Sequence, residues 1–255
     1  MAEVSSASHL TLITGASRGL GLALARARLG PGQRLLTLAR QPHAPLADEA
    51  AAAGARLVQW AVDLADPQPV AERLAAWLQD EAPRAASFTL INNAALLGTP
   101  GPVEDQAADE LARVLRVGLE APLLLSRAFI AATEGCARPR RLVQISSGLG
   151  RRAMAGSAAY CAIKAGLDHF SRCVALEQDG RPWPCRVVSI APGVVETSMQ
   201  QALRGADPRR FAAQAGFASL HAEGRLSTPE DAARALWARI ERADFGQDVV
   251  ADVRS

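Results

Sequence analysis

Residues 10–21 read LTLITGASRGLG, and this stretch decides the fold. An apolar run rich in β-branched residues ends at Gly15, and residues 19–29 follow with helical periodicity, so the pattern predicts a strand, a tight turn and a helix. The glycines of the turn let backbone amides approach a pyrophosphate at the positive end of the helix. Because tight turns need glycine in any case, the turn by itself indicates a dinucleotide site only weakly.

The alternation of strand and helix continues along the whole chain. Strands are predicted at 10–15, 34–39, 56–62, 88–91, 141–145, 186–190 and 248–251. Helices are predicted at 19–29, 45–53, 67–81, 105–132 (in one or two pieces), 158–178 and 228–242. Strands that alternate with helices form a parallel sheet covered on both faces. The expected fold class is therefore α/β, a doubly wound, Rossmann-type parallel sheet of about seven strands.

One domain accounts for the length of the chain. The 255 residues contain no linker, composition shift or internal repeat, and a chain of this size can build a single large α/β core. We expect a flexible N-terminus over residues 1–8 and one dinucleotide-binding catalytic domain over 9–255. The stretch at about 194–226 reads as irregular and is expected to form the substrate loop.

Composition argues against several classes of function. The net charge is +2, with arginines and acids interspersed, which gives no case for a nucleic-acid partner. No apolar run reaches the roughly 18–20 residues of a membrane span, and no secretory leader is recognisable, so a cytoplasmic location is expected. The four cysteines lack metal-ligand spacing, so neither a metal nor a disulfide is expected.

The chain has one tyrosine and one lysine, and they stand four residues apart. Tyr160 and Lys164 fall on a predicted helix, where such residues share a face with their Cβ atoms about 5–6 Å apart. The other basic side chains are arginines, whose planar fork is a poor substitute for a compact ammonium that bonds hydroxyls and acts on a phenol. A nearby cation favours the phenolate. The pair is therefore predicted to be catalytic.

Five motifs, in order, resemble those of the short-chain dehydrogenase/reductase family over essentially the full length of the chain. They are TGASRGLG at 14–21, VDL at 62–64, NNAA at 92–95, the S-x12-Y-x3-K set of Ser147, Tyr160 and Lys164, and PGVVET at 192–197. Only Ala95 departs from the family's NNAG. The resemblance implies hydride transfer with a nicotinamide cofactor, with Tyr160 as proton donor, Lys164 as its activator and Ser147 as the group that orients the substrate oxygen.

The resemblance also implies which residues contact each ligand. Cofactor contacts are expected at Gly15, Ser17, Arg18, Gly19, Leu20, Gly21, Arg40, Asp63, Leu64, Asn93, Ala94, Tyr160, Lys164, Pro192, Gly193, Val195, Thr197 and Met199. Substrate contacts are expected at Ser147, Leu149, Met154, Tyr160 and Met199. The partner is expected to be a small-molecule carbonyl compound. A homodimer or homotetramer is expected, because helices 105–132 and 158–178 are the usual dimer surface in relatives.

Two arginines favour NADP(H) over NAD(H). Folds that select NAD carry an acid at the end of the second strand to bond the ribose 2′-hydroxyl. Here the second predicted strand ends in Leu38, Ala39 and Arg40. Arg18 in the glycine turn can bond the same 2′-phosphate, and Ser17 adds a hydroxyl. The alternative is that both arginines are simply solvated.

Within the family, YCAIKA at 160–165 and TSMQQ at 197–201 are most similar to sepiapterin reductase and its bacterial relatives. Those enzymes anchor a pterin with an acid near the C-terminus, for which Asp248 and Asp252 are the candidates. An apolar wall favours an uncharged, planar or bulky ketone or diketone, and its members are Leu96, Leu97, Leu149, Met154 and Met199. The alternative function is a dinucleotide-sensing or regulatory protein of the same fold without catalysis.

Gly118 is a further departure from the family pattern. Relatives usually place an asparagine here, as part of a water relay behind the lysine. Glycine in a helix interior costs about 1 kcal/mol relative to alanine, so something should favour it. Either an ordered water fills the space of the missing side chain and keeps the relay, or Gly118 lets two helices or the cofactor approach closely.

Overall fold

The computed structural model describes residues 8–254, and within them seven parallel strands form one sheet. The strands are β1 (Ser8–Thr14), β2 (Gln33–Ala39), β3 (Arg56–Ala61), β4 (Ala85–Asn92), β5 (Arg140–Ile145), β6 (Cys185–Ala191) and β7 (Val250–Asp252). Their spatial order is β3-β2-β1-β4-β5-β6-β7, and every neighbouring pair is parallel. This order confirms the predicted doubly wound fold.

Helices cover both faces of the sheet. They are α1 (Gly19–Arg26), α2 (Pro45–Ala52), α3 (Pro67–Glu81), α4 (Ala108–Leu115), α5 (Ala121–Ala132), α6 (Ala158–Gln178), α7 (Ser198–Arg204), α8 (Gln214–Ala222) and α9 (Pro229–Ile240). Thr228 caps the start of α9, because its hydroxyl accepts from the Asp231 amide at 3.0 Å. No helix within residues 8–254 is long and apolar enough to cross a membrane.

Two apolar cores lie on opposite faces of the sheet, because successive side chains of a strand point in opposite directions. On one face, Leu12 of β1 belongs to a cluster with Leu74 of α3 and Phe129 of α5. On the other, its neighbour Ile13 belongs to a cluster with Leu24 of α1 and residues of α9. All of these named side chains are fully buried, and each such burial contributes about 1.5–3 kcal/mol.

The segment predicted as a helix over 105–132 is broken by a π-helical turn. Residues Arg116–Glu120 form this turn between α4 and α5, and the Ala121 amide donates to the Arg116 carbonyl. Pro122 follows, and its missing N–H deprives the Gly118 carbonyl of the usual i→i+4 partner. The two-piece form of the prediction is therefore the correct one.

The prediction of an irregular stretch over 194–226 was wrong, because α7 and α8 lie inside it. Both are hard to detect from sequence: α7 has only seven residues, and α8 buries none of its nine, so neither shows an apolar stripe. Of the predicted flexible N-terminus, residues 1–7 lie outside the described part of the chain, and Ser8 begins β1.

Candidate active site

A large cleft opens at the carboxyl ends of the strands, and residues in or directly after all seven strands line it. Its volume is about 1370 Å³, more than the roughly 300–1,000 Å³ of a pocket for one small ligand. The chain leaves β1 for β2 on one side and returns to β4 on the other, so the cleft lies at the point where the strand order reverses. Open α/β sheets bind their ligands at this point.

The glycine turn after β1 is packed too closely for other residues. Gly15 has a φ of +70°, which favours glycine. A Cβ on Gly21 would lie 2.3 Å from the Gly15 carbonyl oxygen and 2.5 Å from Nδ2 of Asn93. The first turn of α1 therefore presses directly on the loop, and no side chain caps the start of that helix. Its amides stay available to an anion.

Short polar side chains join the ends of β1 and β4. Thr14 Oγ1 accepts from the amides of Asn93, at 2.9 Å, and Ala94, at 3.0 Å. In return Asn93 Nδ2 donates to the carbonyls of Thr14, at 2.9 Å, and Gly15, at 3.3 Å. Asn92, one residue earlier, points away from the cleft and donates to Ser126 at 3.1 Å. These contacts hold the two sides of the crevice at a set separation.

Every residue predicted to contact cofactor or substrate lines this one cleft. Arg18 and Arg40 are both exposed at its rim, and neither forms an ion pair within residues 8–254. Asp63 behaves differently, because its carboxylate accepts from Arg113 of α4 at 3.1 Å. The loop after β6 lies opposite the glycine turn, with Thr197 closest to Gly19. The contacts that each residue would make remain predictions.

Ser147, Tyr160 and Lys164 meet on the floor of the cleft. Ser147 begins a 3-10 turn (Gly148–Gly150) directly after β5, and its Oγ accepts from the Leu149 amide at 3.2 Å. Tyr160 and Lys164 lie in the first two turns of α6, and Lys164 Nζ is 5.5 Å from the centre of the tyrosine ring. The lysine is 2% exposed and donates to the Ile145 carbonyl at 2.7 Å.

Burial dominates the ionisation of both catalytic candidates. It raises the pKa of Tyr160 to about 12, although a hydrogen bond with Ser147 acts in the opposite direction. Burial lowers the pKa of Lys164 to about 8, opposed by the negative charge of Asp168. The sequence suggested that a cation would favour the phenolate of Tyr160. In this cleft desolvation is the larger effect, so the phenol keeps its proton at neutral pH.

The space beside Gly118 is filled by a side chain. A Cβ at this position would lie 2.3 Å from Cδ1 of Ile163 on α6, and Gly118 itself is buried. The proposed water in place of the family's asparagine was therefore wrong at this position. Glycine is favoured here because it lets the π turn and α6 approach closely, which was the alternative interpretation.

A model of the short chain dehydrogenase family matches residues 9–208. The chain belongs to the short-chain dehydrogenase family. It is an oxidoreductase of a family that uses NAD or NADP. This short-chain dehydrogenase is 30% identical to a benzil reductase ((S)-benzoin forming) of Bacillus cereus over 240 residues, 94% of this chain and 96% of the relative. It is 31% identical to the benzil reductase of Bacillus subtilis (strain 168) over 235 residues, 92% of this chain and 94% of the relative.

Solved structures share the fold of this short-chain dehydrogenase. A metagenomic short-chain oxidoreductase in complex with NADP has a TM-score of 0.70 at 26% identity, covering 97% of this chain and 96% of the other. A 3-oxoacyl-[acyl-carrier protein] reductase from Brucella melitensis in complex with NAD has a TM-score of 0.77 at 22% identity, covering 96% and 95%. The neighbours thus bind one nicotinamide cofactor or the other.

The residues of the cleft fit a dinucleotide. The bare backbone at Gly15 and Gly21 leaves a cradle that a Cβ would fill. Arg18 and Arg40 offer guanidinium groups without ion pairs in the described chain, next to the uncapped start of α1. Arginine recognises phosphate with two parallel hydrogen bonds. The cleft also has room for a second, smaller ligand.

We call the part of the cleft around the predicted substrate contacts Leu149, Met154 and Met199 the substrate end. The lining also includes residues that the sequence motifs did not indicate, namely Phe217 of α8 and three arginines. The arginines are Arg151, Arg152 and Arg254. Only tertiary structure brings these side chains together, since they come from three distant stretches of the chain.

Of the two acids considered for a pterin, one reaches the cleft. Asp252 lines it and accepts from Arg254 at 2.7 Å, and these contacts hold the pKa of Asp252 below its usual range. Asp248 is exposed and pairs with Arg239 at 3.0 Å. Of these two acids, Asp252 is thus the one that lines the cleft.

Proposed function

We propose that this chain is an NADPH-dependent carbonyl reductase that acts on a ketone or vicinal diketone, with Tyr160 as the proton donor. The observation that carries the proposal is the convergence of Ser147, Tyr160 and Lys164 on the floor of the cleft that the glycine turn opens onto. A general acid, an orienting hydroxyl and a buried cation together suit the protonation of a carbonyl oxygen.

NADPH, when bound, supplies the hydride to the carbonyl carbon. Ser147 orients the substrate oxygen: its Oγ accepts from the Leu149 amide, and its O–H, which is hydrogen-bonded to Tyr160, can turn to donate to the substrate oxygen. Tyr160 transfers its proton to the same oxygen as negative charge develops there. Lys164, anchored on the Ile145 carbonyl, contributes a positive charge that stabilises the resulting phenolate.

The ionisation of Tyr160 favours the reducing direction. With a pKa of about 12, the phenol is protonated throughout the physiological range. A reductase needs a protonated donor, whereas alcohol oxidation needs the phenolate as a base. The same group therefore serves reduction at neutral pH without a prior change of charge.

Preference for NADPH over NADH is supported by Arg18 and Arg40. Both line the cleft beside the end of β2, where NAD-selective folds carry an acid. Ser17, next to Arg18, adds a hydroxyl to the same rim. A 2′-phosphate at this place gains charge-assisted hydrogen bonds that a ribose hydroxyl does not.

Aromatic vicinal diketones are the proposed substrate class. Leu149, Met154, Met199 and Phe217 give the substrate end an apolar, partly aromatic surface, and the relatives compared above are named benzil reductase. The resemblance to sepiapterin reductase has no specific support from the comparisons. Asp252, the acid a pterin would need, is already paired with Arg254, so a pterin side-chain ketone ranks second.

The test is NADPH oxidation measured with benzil, 1-phenyl-1,2-propanedione, sepiapterin, a polyol and a 3-oxoacyl thioester. Benzil and the phenyl diketone are expected to give the highest kcat/KM, with benzoin identified by chiral chromatography. If polyols or thioesters are turned over faster than every aryl ketone, the substrate class is wrong. Tight NADPH binding without turnover of any carbonyl would favour the dinucleotide-sensing alternative. A cytoplasmic location and a homodimer or homotetramer stay predictions.

A further inference from the structure

A buried carboxylate lies beneath the floor of the cleft, one helical turn beyond Lys164. Asp168 is on α6 and is 2% exposed. Its Oδ1 atom accepts from the hydroxyls of Ser146 and Ser189, both at 2.6 Å. Its Oδ2 atom is also buried and has no hydrogen-bond partner within residues 8–254. The carboxylate is thus fixed between two strands while half of it stays unpartnered.

A buried charge is costly unless an opposite charge compensates it. Lys164 is the cation on the same face of α6, since residues four apart on a helix have Cβ atoms about 5–6 Å apart. The lysine is as deeply buried as the aspartate, with 2% exposure for each. The charge of Asp168 raises the pKa of Lys164, against the lowering effect of burial. Asp168 therefore favours the ionised form of Lys164.

Asp168 is the only charged group in the described chain that contributes to the pKa shift of Lys164. The elements packed against α6 carry other charged residues, which contact different partners or solvent. They are Asp109, Glu110 and Arg113 on α4, Arg116 and Glu120 in the π turn, Arg151 after the 3-10 turn, and Asp252 on β7. Arg140, Arg141 and Arg186 lie at the opposite ends of β5 and β6.

The same carboxylate also holds the strand end that presents Ser147. Ser146 is bonded on both sides, through its hydroxyl to Asp168 and through its amide to the Ile190 carbonyl at 2.8 Å. The 3-10 turn closes over this arrangement at Gly150. A Cβ on Gly150 would lie 2.7 Å from Oδ2 of Asp168, so glycine is what lets the turn lie against the carboxylate.

We propose that Asp168 is a positioning residue of this site: its carboxylate, held by Ser146 and Ser189, keeps Lys164 charged on the cleft floor and fixes the strand end that carries Ser147. The proposal rests on the proposed function for the roles of Lys164 and Ser147. Without the negative charge, the buried ammonium loses its proton at lower pH. Because Lys164 acts as a cation, the basic limb of the reduction rate then moves to lower pH as well.

The single lysine permits a direct test. Protein labelled with ¹³C-lysine gives the side-chain signal of Lys164 alone, and its chemical shift against pH gives the titration midpoint. In Asp168→Asn, which keeps the shape of the side chain, the midpoint is expected to fall by about one pH unit or more. Ser171→Ala is the matched control. Ser171 is fully buried on the same helix and donates to the Leu167 carbonyl, so its removal should leave the midpoint unchanged.

NADPH oxidation by the same variants gives a second readout. The basic limb of kcat/KM is expected to move with the lysine titration in Asp168→Asn and to stay in place in Ser171→Ala. If Asp168→Asn does not fold, the double variant Ser146→Ala, Ser189→Ala removes both donors. Without those donors the carboxylate is no longer held in place beside Lys164, so the Lys164 midpoint is expected to fall in the same direction.

An unmoved Lys164 titration in Asp168→Asn, or in the double serine variant, would overturn the proposal. The labelled lysine titrates whether or not the protein turns over a substrate, so the two proposals fail separately. A midpoint that falls as expected in a protein that reduces no carbonyl compound would contradict the proposed function and support the role of Asp168.

Discussion

The two ends of the cleft are held together by different kinds of contact. At the cofactor end, backbone groups and short side chains set the distances: Thr14 accepts from two amides, and Gly21 packs directly on Gly15. At the substrate end, longer side chains connect α7 and α8. Glu196 accepts from Arg204 at 2.9 Å and contacts His221 at 3.1 Å.

The cofactor end is also more deeply buried than the substrate end. Six of the eight residues of α1 are buried, whereas α8 buries none of its nine. Solvent-exposed contacts such as that of Glu196 with His221 contribute little to the stability of the fold, because water screens them. The cofactor end therefore tolerates little change, while the substrate end can be altered at small cost to the fold. Variation in substrate is expected where the fold depends least on the side chains.

The largest effect is expected on the floor, where the two ends meet. Tyr160→Phe keeps the ring and removes the proton, so kcat should fall about a thousandfold while NADPH affinity stays nearly unchanged. Steady-state kinetics and NADPH fluorescence titration measure the two quantities. Lys164→Ala should lower both kcat and NADPH affinity, since it removes the buried cation. Substantial turnover by Tyr160→Phe would show that another group donates the proton.

The next largest effect concerns the cofactor end alone. The parent should prefer NADPH over NADH by at least about tenfold in kcat/KM, equal to about 1.4 kcal/mol. Arg18→Ala combined with Arg40→Asp should reverse this preference and leave the KM for the ketone unchanged. Arg209→Ala is the control, because that arginine is 89% exposed and pairs with Asp207. Equal use of both cofactors by the parent would mean that the two arginines are only solvated.

The pH dependence reports on both catalytic groups at once. Lys164, with a pKa of about 8, is charged below that pH and loses its proton above it, whereas Tyr160 stays protonated up to about pH 12. The kcat/KM for reduction should therefore be level below about pH 8 and fall about tenfold per unit above it. Buffer-matched rates from pH 6 to 10 test this. A rate that rises through pH 8 contradicts the assigned role of the lysine.

The smallest effect belongs to the substrate end. Phe217→Ala should raise the KM for an aryl diketone about three- to tenfold, which corresponds to the roughly 0.5–1.5 kcal/mol of an aromatic contact. NADPH affinity should not change. Leu220→Ala on the same helix is the control, because Leu220 is outside the cleft lining. An equal rise in KM in both variants would indicate that α8 supports the fold and that Phe217 does not contact the substrate.

Local pattern was enough to predict that the glycine turn, Tyr160 and Lys164 belong to one site, since all of them line the cleft. The glycine turn and the Tyr160–Lys164 spacing depend on backbone geometry within a few residues, so they can be predicted from the sequence without the tertiary structure. The helices of the 194–226 stretch were missed because they bury little. Burial, which raises the pKa of Tyr160, could not be read from the sequence either, because it depends on how the fold packs around the ring.

The sequence by itself determined the alternation of strands and helices, the position of the glycine turn and the pairing of Tyr160 with Lys164 on one helix, because each is a short-range property of the chain. Tertiary structure decided which distant groups meet. Asp168 lies between Ser146 and Ser189, Ile163 fills the space at Gly118, and Phe217 joins the cleft. These long-range contacts depend on the order of the strands in the sheet and on how closely the helices pack against it. Burial then shifts the pKa of each ionisable group.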